Sequence, residues 1–226
     1  MQETTAQPTA APSIPDAILR SPMVAQGNGF GLYAGLPDPN TFNALFNEAA
    51  ELYPSATSQQ SWEADLEERR GGRPRRSLLT STGGAIQDAW YASDYLGRFL
   101  SAQIGLPVVP AGNRGSYSYY ARNGDFLDLH RDVEACDVTV ITVLHDNSPP
   151  TDPGGALTLY PGLIREGLST IRQRPDHGAQ LVKILPGQTL FLFGGVVPHR
   201  VVPVGEGQLR IISALCFKAM TEDEPA

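Results

Sequence analysis

From Leu106 onward the chain reads as a run of short segments, each too short for a helix and each closed by a turn signal. No other feature narrows the possible folds as much. The segments are 107–110, 116–122, 126–132, 136–145, 156–160, 180–185, 188–193, 199–204 and 208–218. Asn123-Gly124, Asp146-Asn147-Ser148-Pro149-Pro150, Pro186-Gly187 and Gly205-Glu206-Gly207 separate them. Such residues favour turns because they tolerate or preset unusual backbone angles. Eight or nine short strands with tight connections predict a β-sandwich or jelly roll.

The first half has a different period. Asn40 is a candidate N-cap for a helix over 41–53, where Phe42, Leu45, Phe46, Ala49 and Leu52 recur at helical spacing. A second helix is expected over about 61–70. A third is expected over about 84–104, with Ile86, Trp90, Tyr95, Leu96, Phe99 and Leu100 apolar. Trp62 and Trp90 fall on these helices and are expected to pack against the sheet. The expectation is therefore a mainly β domain over 21–218, with helical support over about 39–104 bracing a β core over about 105–218. Residues 1–20, rich in Thr, Ala, Gln and Pro, are expected to form a mobile arm, and 219–226 an acidic tail.

Composition excludes several function classes. A length of 226 residues suffices for one domain with a real core. The formal net charge of −7 argues against bulk duplex DNA and anionic membranes as partners. No apolar run reaches the length of a membrane-crossing helix. Residues 1–13 lack the cationic start and apolar stretch of a secretory signal, so a cytoplasmic protein is expected. Cys136 and Cys216 belong to no CxxC pair, which argues against a disulfide framework or a cysteine zinc site. Both are expected to be free thiols in the core.

Of the four histidines, His130 and His199 stand in informative places. His130 and Asp132, two apart on an expected strand, present an imidazole and a carboxylate on one side. His199 opens a later strand, and strand pairing can bring it against His130. Two His and one carboxylate on one face of a metal leave three positions open, the arrangement of non-haem Fe(II) oxygenases. Taken alone, a His and an Asp two apart also fit an ordinary surface strand. The order of features around them adds weight. Arg210 follows His199 across the 205–207 turn, which returns it beside the metal-bearing strand. A buried guanidinium suits a carboxylate held by two parallel hydrogen bonds, although Glu206 is an alternative local partner. Tyr120 offers a second donor to the same anion, or simply packs in the core. Gly154-Gly155 lets a backbone pass close to the site, or marks a plain turn.

The region from about Ser116 to Phe217 resembles the 2-oxoglutarate and Fe(II)-dependent oxygenase superfamily, nearest to its prolyl-4-hydroxylase-like branch. The residues that carry this are Tyr119-Tyr120 through His130-Arg131-Asp132, the segment Gly154 to Tyr160, the segment Leu185 to Phe193, and Val197-Pro198-His199-Arg200 followed by Arg210. They cover a little under half of the chain, and their order and spacing are more specific than any single piece. The resemblance implies a double-stranded β-helix, which is a jelly roll, braced by helices. It implies Fe(II), 2-oxoglutarate and O2 as cofactors and cosubstrates. By position His130, Asp132 and His199 would hold iron, Arg210 would hold the distal carboxylate of 2-oxoglutarate, and Tyr120 would hydrogen-bond the same molecule. No further catalytic residue is implied. Many relatives carry Ser or Thr two residues after the arginine; here Ile212 stands there, and Ser213 is expected to face the other way. Related halogenases lack the carboxylate ligand, so Asp132 disfavours halogenation.

Other residues carry weaker expectations. His145 is read as a rim residue at a strand end and His177 as an exposed loop residue. The loop from Arg69 to Arg76 is either a solvated turn or a lid that recognises an anion, with Arg73 as the candidate contact. Arg122 and Asp128 precede the triad and are candidate substrate contacts. Alternation places Asp128 on the side of His130, where it would orient a ligand or meet solvent. The stretch 163–174 has helical composition and is a candidate wall of the substrate mouth. The expected activity is oxidation, most simply hydroxylation, of a small molecule such as an antibiotic intermediate or an amino-acid derivative. A prolyl residue in a protein is the alternative substrate, and a cupin-like metal-binding module without oxygenase activity is the alternative class.

Overall fold

The structure is a computed structural model that describes residues 14–63, 70 and 72–221. The chain opens with helices α1 (Asp16–Arg20) and α2 (Pro22–Ala25), strand β1 (Phe30–Ala34) and helix α3 (Pro39–Leu52). Strands β2 (Thr57–Ser61) and β3 (Arg76–Ser81) and helices α4 (Ala85–Tyr91) and α5 (Asp94–Ile104) follow. The second half contains β4 (Val108–Tyr120), β5 (Phe126–His130), β6 (Val138–Asp146), β7 (Leu157–Leu159), α6 (Leu168–Gln173), β8 (Gln180–Val182), β9 (Gln188–Leu192), β10 (His199–Val201) and β11 (Arg210–Ala219).

These strands form one antiparallel sheet in the order β1-β9-β6-β11-β4-β3-β5-β10-β7-β8, with β2 on the free side of β3. The sheet curls over on itself. Side chains from β4, β6 and β11 and from β5, β7 and β10, distant along that order, line one small cavity. This is the expected jelly roll. Both faces of the sheet are covered, and the core includes Tyr117, Val140, Val143, Phe191, Leu192, Leu215 and Phe217, all at most 1 % exposed. The helices cover the outer side: α3 lies on β6 and β11, and α5 lies on β4.

The first half departs from the helical expectation. It contributes three strands, because β1 pairs with β9 and β3 bridges β4 to β5. Of the segment read as a second helix, about 61–70, Ser61 ends β2, 62 and 63 are not helical, and 64–69 lie outside the described residues. Trp62, just past β2, is 66 % exposed beside the Phe126 ring, so it does not pack under the sheet as expected. Trp90 does, at 7 % exposure. The third expected helix is two: Ser93 breaks it and caps α5 by accepting from the Leu96 amide. The first helix starts earlier than expected. Asp38, not Asn40, caps α3 by accepting from the amides of Asn40 and Thr41, and Pro39 takes the first helical position, where its missing N–H is no loss. Within the segment expected as a mobile arm, residues 16–20 form α1 and bury Ile18; residues 1–13 lie outside the described residues. The end of the expected acidic tail, 222–226, is likewise outside them.

Cys136 and Cys216 are not free thiols: they form a disulfide, with Cα atoms 5.2 Å apart. The β11–β6 register sets Cys216 opposite Thr139, which brings together two residues 80 apart in sequence. No spacing motif announces such a pairing. Leu45, fully buried between α3 and the sheet, tests how much the helical layer stabilises the core. Leu45→Ala should lower unfolding free energy by about 2–5 kcal/mol, read as a lower urea midpoint at unchanged slope.

Candidate active site

The cavity measures about 120 Å³, and His130, Asp132, His199, Arg210 and Tyr120 all line it. Their convergence depends on β5 and β10. His199 pairs with His130, while Val201 pairs with Leu127, so β5 spends three steps where β10 spends two. The extra residue is a β-bulge. It breaks strict alternation, so that Leu127 and His130, three apart, both face the cavity. Asp128 does not line it, which corrects the sequence expectation. Its carboxylate bonds Arg75 Nε at 2.8 Å, and only its backbone carbonyl serves the site.

That carbonyl accepts from His130 Nδ1 at 2.8 Å, and the Val197 carbonyl accepts from His199 Nδ1 at 2.9 Å. A carbonyl can only accept, so each Nδ1 carries the proton and each Nε2 keeps its lone pair. Both Nε2 atoms point at Asp132 Oδ1, at 3.6 and 3.7 Å. One donor atom from each of the three residues lies within 4.8 Å of the others. Burial pushes His199 down to about 4, with His130 acting the same way and Asp132 opposing, so its imidazole is neutral near pH 7. Burial alone would raise Asp132, but the two imidazoles and the Thr139 hydroxyl hold it well below the usual carboxylate range. A neutral His199 imidazole and an ionised Asp132 carboxylate are protonation states that suit a divalent metal.

Two contacts fix Asp132. The Thr139 hydroxyl donates to Oδ2, leaving Oδ1 toward the histidines, and the Asp132 amide bonds the Gly194 carbonyl at 2.8 Å. Arg131, between the two ligands, turns away and bonds the carbonyls of Val196, Ile164 and Glu166. Gly194 has to lack a side chain, because a Cβ there would stand 1.8 Å from Asp132 Oδ2. Arg70 crosses from the arginine-rich loop and bonds the carbonyls of Val133 and Cys136 and the carboxylate of Asp137. It braces the segment just after Asp132.

At the other end of the cavity, Arg210 is 2 % exposed. Its partner is Asp146 at 2.5 Å, not Glu206, and the same nitrogen, Nη1, also bonds the Ile184 carbonyl. Burial pushes the Tyr120 hydroxyl well above its ordinary range, with Arg210 opposing, so it remains a donor. Between the two polar ends the walls are apolar, with Leu127, Ile141, Leu157, Ile184, Val201 and Ile212 among them. Ser213 faces away, bonding Gln87 Nε2 at 2.8 Å, as strand alternation requires.

The remaining candidates lie elsewhere. Arg122 braces the turn before β5 through Asp125 and does not line the cavity. Arg73 is exposed, as is His177. The His145 ring lies tilted against Phe46 of α3, with centroids 6.1 Å apart. The stretch 163–174 includes α6, which packs on the outer face of β5 against Leu129 and Tyr160, opposite the histidines. Sequence reasoning missed Thr139, Gly194, Asp146, Lys183 and Arg70. Thr139 acts on Asp132 seven residues away across a turn, and the others through contacts remote in sequence, so no motif spacing reveals them.

No protein-family model matches the sequence, and a search of curated proteins finds no match. Solved structures do match. A prolyl-4-hydroxylase from Pseudomonas putida is 17 % identical, with 91 % of this chain and 97 % of that one covered, at a TM-score of 0.54. The non-haem α-ketoglutarate-dependent epimerase SnoN from nogalamycin biosynthesis is 15 % identical over 92 % of this chain and 83 % of its own, at 0.63. HygX from Streptomyces hygroscopicus, solved with nickel and 2-oxoglutarate bound, is 13 % identical over 85 % and 83 %, at 0.59. These likenesses establish the fold: a jelly roll shared with 2-oxoglutarate- and iron-dependent oxygenases, as the sequence resemblance led one to expect.

Two measurements probe the geometry. Gly194→Ala should displace Asp132 and weaken Mn(II) binding at least tenfold by calorimetry, while near-UV dichroism stays native. The second concerns Asp146. Burial opposes its ionisation, but Ser148, Lys183 and Arg210 outweigh it and hold Asp146 near 2, below its ordinary 3.8. A depressed carboxyl contributes stability that is complete above the unfolded value and disappears as pH falls through the folded one. Stability should therefore fall between about pH 4 and pH 2, and Asp146→Asn should flatten that part of the profile.

Proposed function

We propose that this protein is an Fe(II)- and 2-oxoglutarate-dependent oxygenase that oxidises a C–H bond of a small molecule. One observation carries this reading: a His-Asp-His set with both Nε2 lone pairs free shares a small apolar cavity with a buried arginine. The donor set fits iron(II), because two imidazoles and one carboxylate on one face leave positions for other ligands. Bound there with 2-oxoglutarate and O2, iron(II) supplies the oxidation of an unactivated C–H bond, with succinate and CO2 released.

The chain's own residues hold, orient and shield. His130, Asp132 and His199 are the iron ligands. The carbonyls of Asp128 and Val197 fix the ring tautomers, and Thr139 fixes which carboxylate oxygen faces the metal. Arg210 Nε and Nη2 have no hydrogen-bond partner among the described residues, and this edge is the fork that grips a carboxylate in two parallel bonds. Tyr120 adds a hydroxyl donor. A cavity of about 120 Å³ holds roughly the volume of four liquid waters, which suits one small organic acid. The apolar walls exclude water from it. The substrate then approaches from the cavity mouth.

SnoN, an epimerase from nogalamycin biosynthesis that has been solved with nogalamycin RO bound, favours a small-molecule, biosynthetic substrate. The likeness to a prolyl-4-hydroxylase keeps a prolyl peptide as the second reading.

The test is succinate release from Fe(II)-loaded protein, screened against antibiotic intermediates, amino-acid derivatives and proline-containing peptides. Turnover of a peptide alone would move the substrate to the second reading. Metal binding without any 2-oxoglutarate affinity would favour a metal-binding module. Ala at His130, Asp132 or His199 should abolish turnover, and retained activity in all three would overturn the ligand assignment. Arg210→Ala should raise the KM for 2-oxoglutarate at least tenfold, with kcat at saturating cosubstrate changed much less.

A further inference from the structure

Behind Arg210 lies a buried group of charges outside the metal site. The Asp146 side chain is 2 % exposed and bonds Arg210 Nη1 with Oδ2. The same Oδ2 lies 3.0 Å from the Lys183 ammonium, whose side chain is 12 % exposed. Oδ1 accepts from the Ser148 amide and hydroxyl and from Gln208 Nε2. Lys183 also donates to the Gly154 carbonyl at 2.6 Å and to Ser148 Oγ at 3.0 Å. Arg210 lines the cavity; Asp146 and Lys183 do not.

The charges make this more than a brace. Arg210 with Asp146 alone would be a neutral pair. An incoming carboxylate would then compete with Asp146 for the guanidinium, with little net attraction to draw it into an apolar cavity. Lys183 changes that balance. Two cations against one carboxylate leave one positive charge in excess, and Lys183 is withheld from the cavity by Asp146. Asp146, shared between the cations, engages only one nitrogen of Arg210. Gly155, with φ +73°, completes the arrangement: a Cβ there would stand 2.4 Å from Arg210 Cδ, so its absence lets the arginine lie flat.

We propose that Lys183, although it does not touch the cavity, determines its preference for a 2-oxo acid that ends in a carboxylate, by holding Asp146 so that Arg210 keeps a net positive free edge. Lys183 is thus a positioning and charge-setting residue that acts through Asp146. The inference rests on the proposed 2-oxoglutarate function and adds a residue to that site's selectivity.

The test compares two ligands by calorimetry on Mn(II)-loaded protein without oxygen: 2-oxoglutarate, and 2-oxopentanoate, which has the same chain but no distal carboxylate. Lys183→Met should raise the Kd for 2-oxoglutarate at least tenfold and leave that for 2-oxopentanoate within twofold. Lys183→Arg should restore preference for 2-oxoglutarate. If Lys183→Met fails to fold by dichroism, Lys183→Gln replaces it, since it removes the charge but keeps a donor for Ser148 and Gly154. An unchanged preference in the neutral variant, or an equal loss for both ligands, overturns the role of Lys183 alone. If wild-type protein binds Mn(II) but shows no preference for 2-oxoglutarate, the functional reading itself fails.

Discussion

The pairing of β5 with β10 sets His199 opposite His130, and the bulge in β5 turns His130 into the same cavity as Leu127. Nearly every property of the site follows from this local irregularity. A regular β5 would alternate its side chains, and Leu127 and His130 could not share a face. The bulge also places the Asp128 carbonyl where it accepts a hydrogen bond from His130 Nδ1. The same backbone feature therefore aims one ring and chooses its tautomer. Val197 does the corresponding work for His199 from the segment before β10.

The cavity is polarised at its two ends and apolar between them. At one end an ionised carboxylate and the Nε2 atoms of two imidazoles face one another. At the other, a buried guanidinium and a phenol present donors. In a low-dielectric space each end is costly unless matched by a ligand of opposite character. The protein offsets part of that cost at the arginine end with Asp146, and part of the cost of Asp146 with Lys183, Ser148 and Gln208. A bifunctional acid, with metal-binding oxygens at one end and a carboxylate at the other, satisfies both ends at once.

The rest of the chain holds these two ends at a fixed separation. β11 carries Arg210 and pairs with β4, which carries Tyr120 directly opposite. Helices α3 and α5 seal the outer face of that pair and its neighbours, so the wall is supported from behind by buried Leu45, Ala49, Leu96 and Leu100. The disulfide between Cys136 and Cys216 and the Arg70 contacts secure the segment from Asp132 to β6. The metal-facing carboxylate is thereby held on both sides, at Gly194 and at Thr139.

The sequence by itself determined the jelly-roll class, because turn residues at short intervals after Leu106 leave room for only one short helix, α6, among the strands. It also made the triad legible: His130, Asp132, His199 and Arg210 occur in an order that few folds combine, and the structure brings all four to one cavity. What it could not contain is anything decided by pairing between distant segments. β1 and β3 are strands because β9, β4 and β5 offer them partners, while their own sequences carry no strong alternation. Asp128 faces Arg75 because a bulge reversed the alternation that the sequence alone would assign. Lys183, Asp146 and Arg210 meet across 64 and 37 residues, from Asp146 to Arg210 and from Asp146 to Lys183. Local sequence fixes which residues a strand can offer, whereas register and sheet curvature decide which of them touch.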